Sequence, residues 1–117
     1  MRILILTKNI LVEKDIQQKL QLLGHEVFVT TKYLKYYLEK EVNRKETSQF
    51  HLWIISKTVS DREADLVFSK YAGQPNNIFR EVEEIAEEIS PIGNESYSYL
   101  KENASITELR EAIADAV

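Results

Sequence analysis

Residues 1–30 read MRILILTKNILVEKDIQQKLQLLGHEVFVT, and this stretch decides the fold. Met1 to Leu6 is a continuous apolar run of the kind that forms a strand buried on both faces. Thr7, Lys8 and Asn9 break it. The short Asn9 side chain can accept a bond from a free backbone N–H and so cap a following helix. Val12, Ile16, Leu20 and Leu23 then recur at spacings of four, four and three, which is one face of an α-helix. Gly24 suits the left-handed position just past a helix end. His25 to Thr30 is β-branched and aromatic, so it predicts a second strand.

The remainder repeats the alternation. Residues 31–46 carry Tyr33, Leu34, Tyr36, Tyr37 and Leu38 at helical spacings, and Arg44 to Gln49 is a polar loop. Phe50 to Ile55 (FHLWII) predicts a third buried strand. Ser60 and Glu63 form a capping box ahead of an apolar stripe of Ala64, Val67, Phe68 and Tyr71, ended by Gly73 and Pro75. The stripe and the box together favour a helix there over a strand in ADLVFSK. Asn76 to Ile89 fits either one amphipathic helix or a short strand, NNIFREV, followed by a short helix. Ser90 to Gly93 is turn chemistry. Tyr97 to Leu100 predicts a last strand, and Ser105 with Glu108 opens a last helix with Ile106, Leu109 and Ile113 on its buried face.

The chain has 117 residues, 44% of them hydrophobic and 29% charged, which fits one soluble domain spanning 1–117. The absence of Cys excludes thiol catalysis, disulfides and thiolate metal sites. No apolar run of about 18 residues is present, so no membrane span is expected. MRILILTKN is too short for a signal peptide, and the expected location is the cytoplasm. A net charge of −4 argues against this domain gripping a phosphate backbone by itself. His25 and His51 sit at strand starts with no second ligand nearby in sequence, and no metal or other cofactor is expected. Trp53 is expected in the core.

Five strand–helix units with short connections predict an α/β fold, a flavodoxin-like doubly wound parallel sheet with a shortened or irregular region around its fourth strand and helix. In such sheets the functional crevice lies beyond the carboxyl ends of the strands. The opening RILIL–TKN–helix–LLGHEVFV resembles the start of the receiver domain of two-component response regulators. FHLWIISKTVS with its helix resembles that family's third strand, phosphoacceptor loop and third helix. YSYLKENASITELREAI resembles its fifth strand, site lysine and last helix. The resemblance covers nearly the whole chain, with Pro75 to Gly93 shorter than in the family.

The resemblance also shows departures. The family places two acidic residues after its first strand to hold Mg²⁺; here stand Thr7 and Lys8, or Lys8 and Asn9 on a shift of one residue. The phosphoacceptor aspartate is replaced by Ser56. Lys101 matches the site lysine but is not followed by proline. Mg²⁺ prefers carboxylate and water oxygens, and an ammonium offers only donors. Asp61 and Asp65 are the nearest acids in sequence, but they fall in the predicted third helix. The resemblance therefore implies an atypical receiver domain with a degenerate phosphorylation pocket formed by Thr7, Lys8, Asn9, Ser56 and Lys101.

Three functions remain open at this point. The first is a non-enzymatic, phosphorylation-independent regulatory and dimerisation module, the N-terminal part of a transcription regulator whose DNA contacts lie in a separate domain. Family resemblance places its homodimer face on Arg80, Glu84, Tyr97, Tyr99, Arg110 and Asp115, although Glu81, Glu83, Glu84, Glu87 and Glu88 also read as a solvated acidic helix face. The second is a sensor binding a small anion through Lys8, Ser56, Lys57 and Lys101, with Lys8 also able to occupy the vacated metal site. The third is an enzyme, since GHEVFVTT resembles part of the first βα unit of nucleotide-sugar glycosyltransferases. The sequence offers no paired acid, His or Cys constellation to support that reading.

Overall fold

The structure, a computed structural model, describes residues 1–39, 49–71, 77–83 and 98–116. Its elements are β1 (Arg2–Leu6), a 3-10 turn (Ile10–Glu13), α1 (Lys14–Leu22), β2 (Glu26–Thr30) and α2 (Lys32–Glu39). They continue with β3 (Leu52–Ile55), α3 (Asp61–Tyr71), β4 (Asn77–Val82), β5 (Ser98–Lys101) and α4 (Ile106–Ala116). All strand pairs are parallel, in the order β2-β1-β3-β4-β5. The order reverses between β1 and β3, so their carboxyl ends flank the crevice that this topology leaves open.

Alternation along the central strands divides the core in two. Leu4, Leu6, Trp53, Ile55 and Ile78 pack against Leu34 and Tyr37 of α2 and Ala64, Val67 and Tyr71 of α3. Ile3, Ile5, Leu52, Ile54, Phe79 and Leu100 pack on the other face against Ile16 and Leu20 of α1 and Leu109 and Ile113 of α4. Trp53 is fully buried, its ring stacked on Tyr37 with centroids 4.6 Å apart. The five-stranded parallel sheet expected from the alternating apolar runs is therefore present.

Local signals set the element ends. Gly24 adopts φ +93° after α1, where a side chain would strain the backbone, and its N–H donates to the Gln21 carbonyl at 2.9 Å. At α4 the capping box is reciprocal: the Glu108 N–H donates to Ser105 Oγ at 3.1 Å and the Ser105 N–H to Glu108 Oε1 at 3.3 Å. At α3 the Glu63 N–H donates to Ser60 Oγ at 3.2 Å, and the Ser60 hydroxyl donates to Glu63 Oε1. ADLVFSK is thus helical, as the stripe and box require.

Two readings need correction. Residues 77–82, left open between strand and helix, form β4, so Glu81 belongs to a strand and not to a solvated helix face. Residues 84–89 lie outside the described residues, as does the distal part of the predicted second helix. Val12, expected on one face of the first helix with Ile16 and Leu20, is 40% exposed while those two are buried. The chain enters that helix through a 3-10 turn whose three-residue period aligns positions three apart, which sets Glu13 rather than Val12 in line with Ile16.

Candidate functional site

Thr7 and Ser56 follow β1 and β3 directly, and backbone bonds continue the sheet through both. The Ser56 N–H donates to the Leu6 carbonyl at 2.8 Å and the Thr7 N–H to the Thr30 carbonyl at 3.2 Å. This pairing fixes two hydroxyl side chains side by side at the switch point, both fully buried. The sequence between them and α1 supplies a third group. Asn9 Oδ1 accepts the Leu11 N–H at 3.1 Å, which starts the 3-10 turn and swings Glu13 back over the strand ends.

Glu13 is 0% exposed. Its Oε1 accepts hydroxyl bonds from Thr7, at 3.1 Å, and from Ser56. Its Oε2 is buried with no hydrogen-bond partner among the described residues. Thr58 closes the network: its hydroxyl lies 3.0 Å from both Thr7 Oγ1 and Ser56 Oγ, and its Oγ1 accepts the Lys8 N–H at 2.9 Å. Three hydroxyls and one carboxylate therefore occupy the crevice.

The next layer comes from β4 and the β5–α4 loop. Glu81 is 4% exposed, and its Oε1 accepts the Lys57 N–H at 3.3 Å. Burial, reinforced by the Glu13 charge, raises the Glu81 pKa above the ordinary glutamate value. The Lys57 ammonium pairs with Glu102, and that hydrogen bond raises the lysine pKa. Arg80, one residue along β4, points to the opposite face of the sheet. Its guanidinium donates to the carbonyl oxygens of Ser56 and Val59 (2.5 Å to the latter) and to Asp61 Oδ1 at 3.2 Å.

The structure separates the residues singled out from the sequence. Thr7 and Ser56 meet in the crevice, with Lys57 at its side. The Lys8 side chain leaves it, pairing at 2.5 Å with Glu63 at the start of α3, and this hydrogen bond lowers the Glu63 pKa. The Lys8 ammonium therefore does not enter the crevice. Asn9 is exposed and serves as the cap, and Lys101 is exposed at the end of β5. Arg80, expected on an outer face, is only 6% exposed because in a strand its side chain turns inward with that of Ile78. Tyr99 is partly buried, with its pKa raised by burial, while Arg110 and Asp115 are exposed on α4. Glu84 and Tyr97 lie outside the described residues.

Two buried acids that the linear reading did not bring together, Glu13 and Glu81, hold the neighbouring residues Ser56 and Lys57 in the fold. Thr58 and Glu102 were also missed. Glu13 had a legible signal, because Glu13, Ile16, Leu20 and Leu23 are spaced as a helical face just as Val12, Ile16, Leu20 and Leu23 are. Among the described residues no group of three or more His, Cys, Asp or Glu could hold a metal ion.

A flavodoxin-like sheet in the order β2-β1-β3-β4-β5, with polar side chains gathered at the ends of β1 and β3, defines the class by its fold. The chemotaxis protein CheY4 of Vibrio cholerae shares this fold, with a TM-score of 0.66 over 99% of this chain and 98% of that one. The two sequences are 14% identical, so the likeness is one of fold. No family model and no curated protein matches the chain. Among the described residues no helix is long and apolar enough to cross a membrane.

Proposed function

We propose that the chain is a non-enzymatic, receiver-like regulatory module that works without aspartyl phosphorylation. The observation that carries this reading is the state of Ser56. The residue just after the third strand is a buried hydroxyl already engaged with Glu13, with no carboxylate in its place to attack a phosphoryl donor. A pocket filled by the chain's own side chains holds the ends of β1 and β3 in one arrangement, as a regulatory surface that is not switched by phosphate requires. The decisive test is incubation with acetyl phosphate or phosphoramidate and Mg²⁺, read by intact mass. No acid-labile adduct is expected, and a stoichiometric one overturns the reading.

The regulatory reading is favoured over an anion sensor by the charges beside Ser56. The Lys8 and Lys57 ammonium groups each pair with a carboxylate, the buried Arg80 guanidinium is taken up by the Ser56 and Val59 carbonyls and Asp61, and the buried Glu13 and Glu81 are acidic. Thermal-shift titration with inorganic phosphate is expected to give no stabilisation. Our reading further makes the chain the dimerising part of a transcription regulator in the cytoplasm, with DNA bound by a separate domain. Tyr99, Arg110 and Asp115 keep their place on the candidate dimer face; Arg80 leaves it. Light scattering of the wild type and of Arg110→Glu tests this: a dimer that the substitution weakens is expected, and a monomeric wild type refutes it.

A further inference from the structure

Glu13 and Glu81 hold neighbouring residues of one loop from two different elements. Glu13, from the 3-10 turn, accepts the Ser56 hydroxyl; Glu81, from β4, accepts the Lys57 backbone N–H. The charged groups facing Glu81 are Glu13, Lys57 of the β3–α3 loop and Glu102 of the β5–α4 loop. The Lys57 ammonium is already paired with Glu102. Among the described residues, two buried carboxylates therefore face one another's field with no cation of their own, and Glu13 Oε2 has no hydrogen-bond partner. Burying such charge without a partner is costly, and the usual relief is neutralisation by a proton or a cation. Glu13 and Ser56 are 0% exposed and Glu81 is 4% exposed, so there is scarcely room for a hydrated ion or an organic ligand. A proton needs no space.

We propose that Glu13 and Glu81 form a proton-binding site that sets the hold on the Ser56–Val59 loop. With both groups ionised, the hydroxyls of Thr7 and Ser56 and the Lys57 N–H are all drawn as donors toward negative oxygens. One proton taken up at this site removes a negative charge, weakens the charge-assisted part of these bonds and gives one carboxyl a donor of its own. The loop connects the strand ends to α3, so proton uptake is transmitted to the α3 start, where Lys8 pairs with Glu63. This site does not depend on the regulatory reading, since the phosphodonor and titration experiments have separate outcomes.

The test is a carbon-detected NMR titration of the glutamate carboxyl groups in the full chain, with amide spectra collected alongside. One carboxyl is expected to titrate above the value of about 4.3 typical of a solvated glutamate. The Lys57 and Thr58 amides should move with the same midpoint. Glu81→Gln and Glu13→Gln should each abolish or lower that midpoint. The proposal is overturned if every wild-type glutamate titrates at or below the solvated value. It is equally overturned if the elevated midpoint survives in both variants, or if the loop amides do not follow it. The wild-type titration decides the matter even if a variant fails to fold.

Discussion

Glu13 and Ser56, 43 residues apart in sequence, are joined carboxylate to hydroxyl beneath the carboxyl edge of the sheet. The bond crosses from the β1–α1 turn to the end of β3, so it ties together the two strands between which the sheet order reverses. A single substitution is not expected to introduce a phosphoacceptor here. Ser56→Asp would set a second carboxylate against Glu13 in a fully buried position, where like charges repel strongly. It is expected to destabilise the fold by roughly 2–4 kcal/mol and still to take up no phosphate. Adding Glu13→Gln should recover a large part of the loss, because the neutral amide can donate to the new carboxylate. Urea denaturation of the single and double variants measures the coupling, and additive effects would contradict it.

Arg80 makes a second tie across the same loop, from the opposite face of the sheet. Its guanidinium spans the carbonyls of Ser56 and Val59 and reaches Asp61 in the first turn of α3. Arg80→Ala would leave two carbonyls without their donor and open space under the loop. A loss of about 3 kcal/mol is expected by chemical denaturation. Asp61→Asn should cost under about 1 kcal/mol, because that carboxylate is almost wholly exposed. Equal costs for the two would place the stabilising contact on the ion pair and not on the carbonyls.

How much of this was legible follows from what each side chain reports. Apolarity broken only by Arg2 in MRILIL and by His51 in FHLWII marks strands buried on both faces, and the two capping boxes mark the starts of α3 and α4, so the fold could be read locally. The site could not. Glu13 enters the crevice because the turn before α1 is 3-10, a difference of period too small to show over four residues. Arg80 and Glu81 lie in a run, REVEE, whose composition suits a solvated helix, and only strand pairing turns them inward. Thr58 is an ordinary loop residue until Thr7 is brought against it from 51 positions away.

The start of α3 offers a separable test of local energetics. Ser60 caps the helix through the Glu63 N–H, and Glu63 also receives the Lys8 ammonium. Ser60→Ala should cost about 1 kcal/mol, whereas Lys8→Met should cost less, because the lysine is half exposed and water screens the pair. The folded Glu63 pKa is lowered, chiefly by its hydrogen bond from Lys8. The stability it contributes is therefore present above its unfolded value and is lost as pH falls through the folded value. In Lys8→Met this loss should be smaller, so the two stability curves should converge in acid. A constant gap down to low pH would show that the ion pair is not responsible.

Glu81 has the opposite sign. Its folded pKa is raised, first by burial and then by the charge on Glu13. The stability associated with its protonated form is fully present below the unfolded value of about 4.3 and is lost as pH rises through the raised folded value. Above that value the wild type carries an ionised carboxylate where burial disfavours it. Glu81→Gln retains an oxygen able to accept the Lys57 N–H and removes the charge. It is expected to be more stable than the wild type at pH 7, by about 1 kcal/mol, and to lose that advantage as the pH approaches 4. Denaturation midpoints for the two proteins across that range measure the crossover directly. A variant less stable at pH 7 than at pH 4, relative to the wild type, would mean that the Glu81 charge is favourable in place, with the Lys57 amide bond outweighing desolvation.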